Sequence, residues 1–488
     1  MDLQKYIEAN RGPAIETLKE LIRIRSDRSS AVEGEDSQIY PFGEGVQRAF
    51  EYMLAKGEEM GFSVENIDNY GGHIDFGEGE ETVGVMGHLD VVPAGDGWDS
   101  DPYGAEEEDG YIIGRGTTDD KGPVIASLYA MKALKDAGYK PHRKIRLILG
   151  LDEETEWEGM DYYFDKVETP DFGITPDADF PVINGEKGIM VFELAKKLTK
   201  GNAAGLQLGK LSGGEAVNMV ASQARAVVRS DAKGAYEKIR EKLADFMAET
   251  GYKLKTKGVG KSLEILADGV ACHGARPEKG LNAISVLMSF LGRLNFANED
   301  VNEFIDFYNG HVGFNMYGEE LGIGFEDEKS GRLSVNNGLI SYDKDSISVN
   351  VNVRYPVSFS ADDVYDAMQP ILDKYAIGVV KHVDMEPLYF DADSNLIKTL
   401  MDVYREETGD MDSEPIVSAG GTYARACPNV VAFGGLFPGA PDIMHQKNEK
   451  IAIDRFNKMT DIYAKALYRL TQADFNYQIG RASCRERV

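Results

Sequence analysis

Three apolar runs in this chain each stop at a titratable side chain, and that pattern constrains the fold more than any other. VGVMG (83–87) runs into His88 and, past one leucine, Asp90. KIRLILGL (144–151) runs into Asp152, Glu153 and Glu154, and DFGIT (171–175) reaches Asp177 through a proline. Helical patterns fill residues 11–24 and 43–60, and a further helix follows the loop YIIGRGTTDDKG as PVIASLYAMKALKDAG. Alternating strands and helices predict an α/β domain with a mainly parallel sheet. In such sheets chemistry sits where the strands end at their carboxyl side.

The middle of the chain changes character. GKSLEILADG and DSISVNVNVRYP read as antiparallel strands with one solvated face. The second places Ile347, Val349, Val351 and Val353 on one side and Ser346, Ser348, Asn350, Asn352 and Arg354 on the other. With helices such as LNAISVLMSFLGRL between them, this predicts an α+β domain over 187–380, inserted into an α/β domain made of 1–186 and 381–476. The last ten residues, IGRASCRERV (479–488), are basic, lack apolar periodicity and are set apart as a non-native tail.

A formal net charge of -29 argues against a nucleic-acid partner, whose phosphates would be repelled. No apolar run is long enough to span a bilayer, and the N-terminal stretch reads as an amphipathic helix rather than a signal peptide. Cys272, Cys427 and Cys484 form neither a disulfide framework nor a zinc-finger spacing. A reducing, cytoplasmic setting follows as the expectation.

Residues two apart on a strand point the same way, so His88 and Asp90 emerge together. A carboxylate beside a ligating histidine fixes its tautomer; the plainer reading of HLD is a polar turn. Asp119 and Asp120 stand before a helix, where aspartate is also a favoured N-cap. Capping needs one acid, however, and does not explain the acids after the next strands. Glu153 and Glu154 repel each other unless cations or protons intervene. Four segments thus deliver acids or histidine near strand ends. Imidazole and carboxylate donors together suit zinc, or manganese and cobalt.

The order HLD, GRGTTDDKG, DEE, TPDAD and a late PDIMHQKNE resembles the M20 metallopeptidases, most closely their PepV-type dipeptidases, over nearly the whole chain. The resemblance implies a zinc-peptidase catalytic domain carrying two divalent ions. It makes Asp119 the bridging ligand, His88 and Asp177 the other ligands of one ion, and Glu154 and His445 those of the second. Glu153 matches the general base and Asp90 the carboxylate that orients His88. A cis peptide is implied between Asp119 and Asp120. The inserted domain becomes a lid. ACHGARPEKGLNAI supplies His273 as a hydrogen-bond donor to the oxyanion, and Arg354 matches the residue that holds the substrate's free carboxylate. Asn218 in EAVNMVAS, and Gly421, Thr422 and Arg425 in GGTYAR, match substrate-facing positions.

The implied reaction is metal-assisted hydrolysis of dipeptides, with Glu153 moving the proton. The enlarged lid of the PepV type resembles a built-in dimer partner and implies a monomer. Removal of an acyl group from an N-acyl amino acid is the alternative on the same residues. A binding module without catalysis is a third reading, weakened because Glu153 and all five ligand positions carry the expected residue types. His73, His142, His311 and His382 match no motif and read as ordinary surface or core histidines.

Overall fold

The computed structural model describes residues 3–34, 37–199, 204–441 and 443–477. The basic tail 479–488, with Cys484, lies outside the described residues. The chain divides into two compact units. Among the described residues, one holds those between 3 and 185, 389–416 and those between 421 and 477; the other holds those between 186 and 388 and 417–420.

The first unit opens with α1 (Leu3–Ile22), which starts earlier than its apolar stripe suggests, and α2 (Glu44–Glu59). β1 (Ser63–Ile67) and β2 (Gly71–Phe76) form a hairpin. Then come β3 (Thr82–His88), α3 (Lys121–Asp136), β4 (Lys144–Gly150), α4 (Glu158–Lys166) and β5 (Phe172–Thr175). After the second unit follow α5 (Asn395–Thr408), β6 (Val430–Ala432) and α6 (Ile453–Leu470).

These strands lie in the order β6-β5-β3-β4-β2-β1. The pairs β6–β5, β5–β3 and β3–β4 are parallel, and β4–β2 and β2–β1 are antiparallel. The sheet is therefore parallel at its centre, where β3 and β4 are buried along almost their whole length. That burial accounts for runs as apolar as VGVM and LIL, since both faces of such strands are covered. α3 packs against α1 and α6. Because β3, β4 and β5 run the same way, His88, the Asp152–Glu154 acids and Asp177 all leave the sheet at one edge.

The second unit is built on an antiparallel sheet with eight strands among the described residues. Their order is 254–259, 262–268, 223–229, 207–213, 334–342, 346–355, 188–197 and 378–385. Ile347, Val349, Val351 and Val353 join its core with Phe192, Phe290 and Phe304. The opposite face of Ser346–Tyr355 departs from expectation. Ser348, Asn352 and Arg354 are buried rather than solvated. Asn336, paired across from Asn352, donates its Nδ2 to the carbonyls of Val217 and Met219. The chain near 217–219 therefore lies over part of that polar face.

Candidate metal centre

His88 ends β3 with its side chain fully buried. Nε2 lies 3.0 Å from Asp119 Oδ1 and 3.6 Å from Asp177 Oδ2. Nδ1 lies 2.9 Å from the Asp90 carbonyl oxygen and 3.3 Å from its Oδ1. The Nδ1 proton thus has its acceptor at Asp90, which turns Nε2 toward the acids. The Asp90 carboxylate does a second task. Its two oxygens accept the backbone N–H groups of Glu153 at 3.1 Å and Glu154 at 3.0 Å. One side chain thereby positions both the histidine and the acid pair of the next strand. Asp90→Asn sets an amide NH2 against one of those N–H donors. It is expected to weaken metal affinity about 10–100-fold, read by titration against a competing chelator; unchanged affinity would remove Asp90 from this role.

Asp119 and Asp120 are joined by a cis peptide bond. Asp120 stands at the N-cap of α3 but makes no side-chain cap. Instead its Oδ2 accepts the His88 N–H at 3.1 Å. A Cβ on Gly87 would come within 2.6 Å of that oxygen and 2.4 Å of Val124, so the glycine in VGVMGH makes room for this contact. Across the site, His445 Nε2 lies 2.8 Å from Asp119 Oδ2 and 3.0 Å from Glu154 Oε1. The two oxygens of Asp119 therefore face two different imidazoles.

Among the described residues, two sets of side chains bring their donor atoms within 4.8 Å of one another: His88, Glu153 and Asp177, and His88, Asp119 and Glu154. These sets overlap with the sequence-based ligand groups without coinciding with them. Burial pushes Glu153 well above the usual carboxylate range, and neighbouring Asp177, Glu154 and Asp119 add to it. Burial and Asp119 push Glu154 up to about 7, and burial raises Asp177. Burial would lower the His88 imidazole, but its bonds to Asp119, Asp177 and Asp90 outweigh this and raise it. His445 is pushed up to about 11 by Asp119 and Glu154. Crowded, desolvated carboxylates of this kind call for positive charge, and a mixed imidazole–carboxylate donor set fits a divalent ion.

The GGTYAR segment meets this site through a residue that sequence reasoning passed over. Tyr423 is buried, its ring edge-on to His88 at 6.1 Å and to Trp157 at 5.3 Å between centroids. The Trp157 indole donates to the Glu153 carbonyl at 2.7 Å. Thr422 accepts the Ala424 N–H and is buried, while Gly421 is exposed and Arg425 half-buried. Nothing in the sequence marks Trp157 or Tyr423, whose contacts are made only in the folded chain.

In the second unit, three further expected residues cluster among themselves. Gly274 N–H donates to the Asn218 carbonyl, next to a bridge between Met219 and His273. His273 and Asn218 are exposed. Arg354 donates its Nε to Asn352 Oδ1 and pairs across with Ser334, whose hydroxyl donates to the Ala275 carbonyl at 3.5 Å.

The family model for peptidase family M20/M25/M40 matches residues 84–469. The chain belongs to this family. It is thus a hydrolase of the metallopeptidase type. It is 37% identical over 463 residues to a Staphylococcus epidermidis protein named "Putative dipeptidase", covering 94% of this chain and 97% of that one. It is 37% identical over 462 residues to "Putative dipeptidase YtjP" of Bacillus subtilis, with the same coverage. Among solved structures, human carnosine dipeptidase 1 matches with a TM-score of 0.55 at 17% identity, over 95% of this chain and 97% of that one. Aminoacylhistidine dipeptidase from Vibrio alginolyticus matches at 0.55 and 16%, over 93% and 96%. Both share the M20 fold. Among the described residues, no helix is long and apolar enough to cross a membrane.

Proposed function

We propose that this M20 hydrolase is a dipeptidase working with two divalent ions, zinc first among them and manganese or cobalt as substitutes. The observation that carries the reading is Asp119, with Oδ1 toward His88 and Oδ2 toward His445. A carboxylate set between two imidazoles suits a bridging ligand. His88 and Asp177 would then hold one ion with it, and Glu154 and His445 the other. The names of the two bacterial relatives support dipeptides as the substrate class.

When bound, the ion pair supplies Lewis-acid activation of a water and of the peptide carbonyl. Glu153, its backbone pinned by Asp90 and Trp157, takes the proton from the attacking water and passes it to the leaving amine. His273 donates to the oxyanion and Arg354 holds the free carboxylate, with Asn218, Gly421, Thr422 and Arg425 facing substrate. Residues 187–380 serve as the lid. The protein works as a cytoplasmic monomer, without nucleic-acid or membrane partners.

Chelator-stripped protein, given back zinc, manganese or cobalt singly, should cleave free dipeptides and spare N-acetyl and N-succinyl amino acids. Cleavage confined to the acylated amino acids would overturn the dipeptidase reading.

A further inference from the structure

His445 and Asp119 come from opposite parts of the chain, yet one carboxylate joins the segments that carry them. Glu449 is fully buried four residues after His445. Its Oε1 accepts the N–H groups of Thr118 at 2.8 Å and Asp119 at 3.3 Å. Its Oε2 accepts Gly116 N–H at 3.1 Å and Arg115 Nη1 at 2.6 Å. Backbone N–H groups converging in this way form an anion-binding concavity, and here the anion belongs to the protein itself. The Gly114 N–H donates to the Glu449 carbonyl, and Lys450–Ala452 pairs antiparallel with Tyr111–Ile113. The Arg115 guanidinium lies over the Trp98 ring at 5.4 Å.

We infer that Glu449 is a positioning residue for the metal centre: its carboxylate locks the 116–119 loop that presents Asp119 and ties it to the segment that presents His445. Neither Glu449 oxygen is needed as a ligand, because three of its contacts go to N–H groups of the loop and the fourth to the Arg115 side chain beside it. This role rests on the metal reading above. Glu449 matters through two ligands whose side chains it does not touch: its carboxylate binds the backbone of one, and it shares a short segment with the other. Asp119 is shared by both ions and His445 belongs to one, so loosening Glu449 should reach the ion assigned to Glu154 and His445 more than the ion assigned to His88 and Asp177.

The test is a cobalt titration of the metal-free protein, followed by visible absorption, with Glu449→Gln beside the wild type. The glutamine keeps the shape but turns an NH2 toward N–H donors and removes the charge opposite Arg115. The variant should bind the second equivalent about 10–100-fold more weakly, with an altered cobalt band for that equivalent. A variant whose second equivalent matches the wild type in affinity and band overturns the inference while leaving the metal reading intact. A wild type that binds no cobalt sinks the metal reading instead. Should Glu449→Gln fail to fold, hydrogen exchange of the wild-type peptide spanning 116–119 decides. Protection that is already present in chelator-treated protein is the expected result. Protection that appears only on adding metal would mean that the ions, not Glu449, order the loop.

Discussion

Glu153→Ala should keep its metal and lose about 10²–10⁴-fold in kcat. The size follows from the task assigned to the side chain, which is to move one proton in each direction within a turnover. The retention of metal follows from the ligand assignment, in which Glu153 holds no ion. This is a sharp contrast, because the donor atoms of His88, Glu153 and Asp177 also lie close enough to share one. Metal analysis of the purified variant, run beside steady-state kinetics on a dipeptide, separates the two. Loss of an ion in step with activity would make Glu153 a ligand and leave the proton without its carrier. Glu153→Gln gives the same answer with less change in packing: the amide keeps the volume but cannot accept the proton.

Asp119→Asn should lose the ion pair as a pair. Its two oxygens face His88 and His445 at 3.0 and 2.8 Å, and an asparagine can offer only one acceptor to two ions. The amide also removes the negative charge that holds both imidazoles in place. The variant should fold, since Glu449 still receives the Thr118 and Asp119 N–H groups through the backbone. Its turnover should fall to that of chelated wild type, and added zinc at ordinary concentrations should not restore it. Full activity with two bound ions would show that Asp119 is not the bridge.

The candidate metal centre was legible where chemistry and strand ends coincide. His88, Glu153, Glu154 and Asp177 each follow an apolar strand, and parallel pairing carries all of them to one edge of the sheet. His445 follows no such strand, and only resemblance singled it out. Asp120 was ambiguous for a physical reason: an aspartate before a helix is an adequate cap whether or not it caps. Here the side chain turns away to the His88 N–H. Alternation along Ser346–Tyr355 identified the apolar face correctly but not the fate of the polar one. Periodicity tells which residues share a face, not what lies over it, and the carbonyls of Val217 and Met219 meet Asn336 there. Tyr423 and Glu449 were beyond reach for another reason. Each acts on a segment more than two hundred residues earlier in the chain, and neither residue type advertises its partner.

The most direct test of the central claim is anomalous diffraction from crystals of the zinc-restored protein, recorded on either side of the zinc edge. Two peaks about 3.5–4 Å apart are expected, with Asp119 between them, His88 and Asp177 on one, and Glu154 and His445 on the other. A single peak shared by His88, Glu153 and Asp177, or no peak among these side chains, would contradict it.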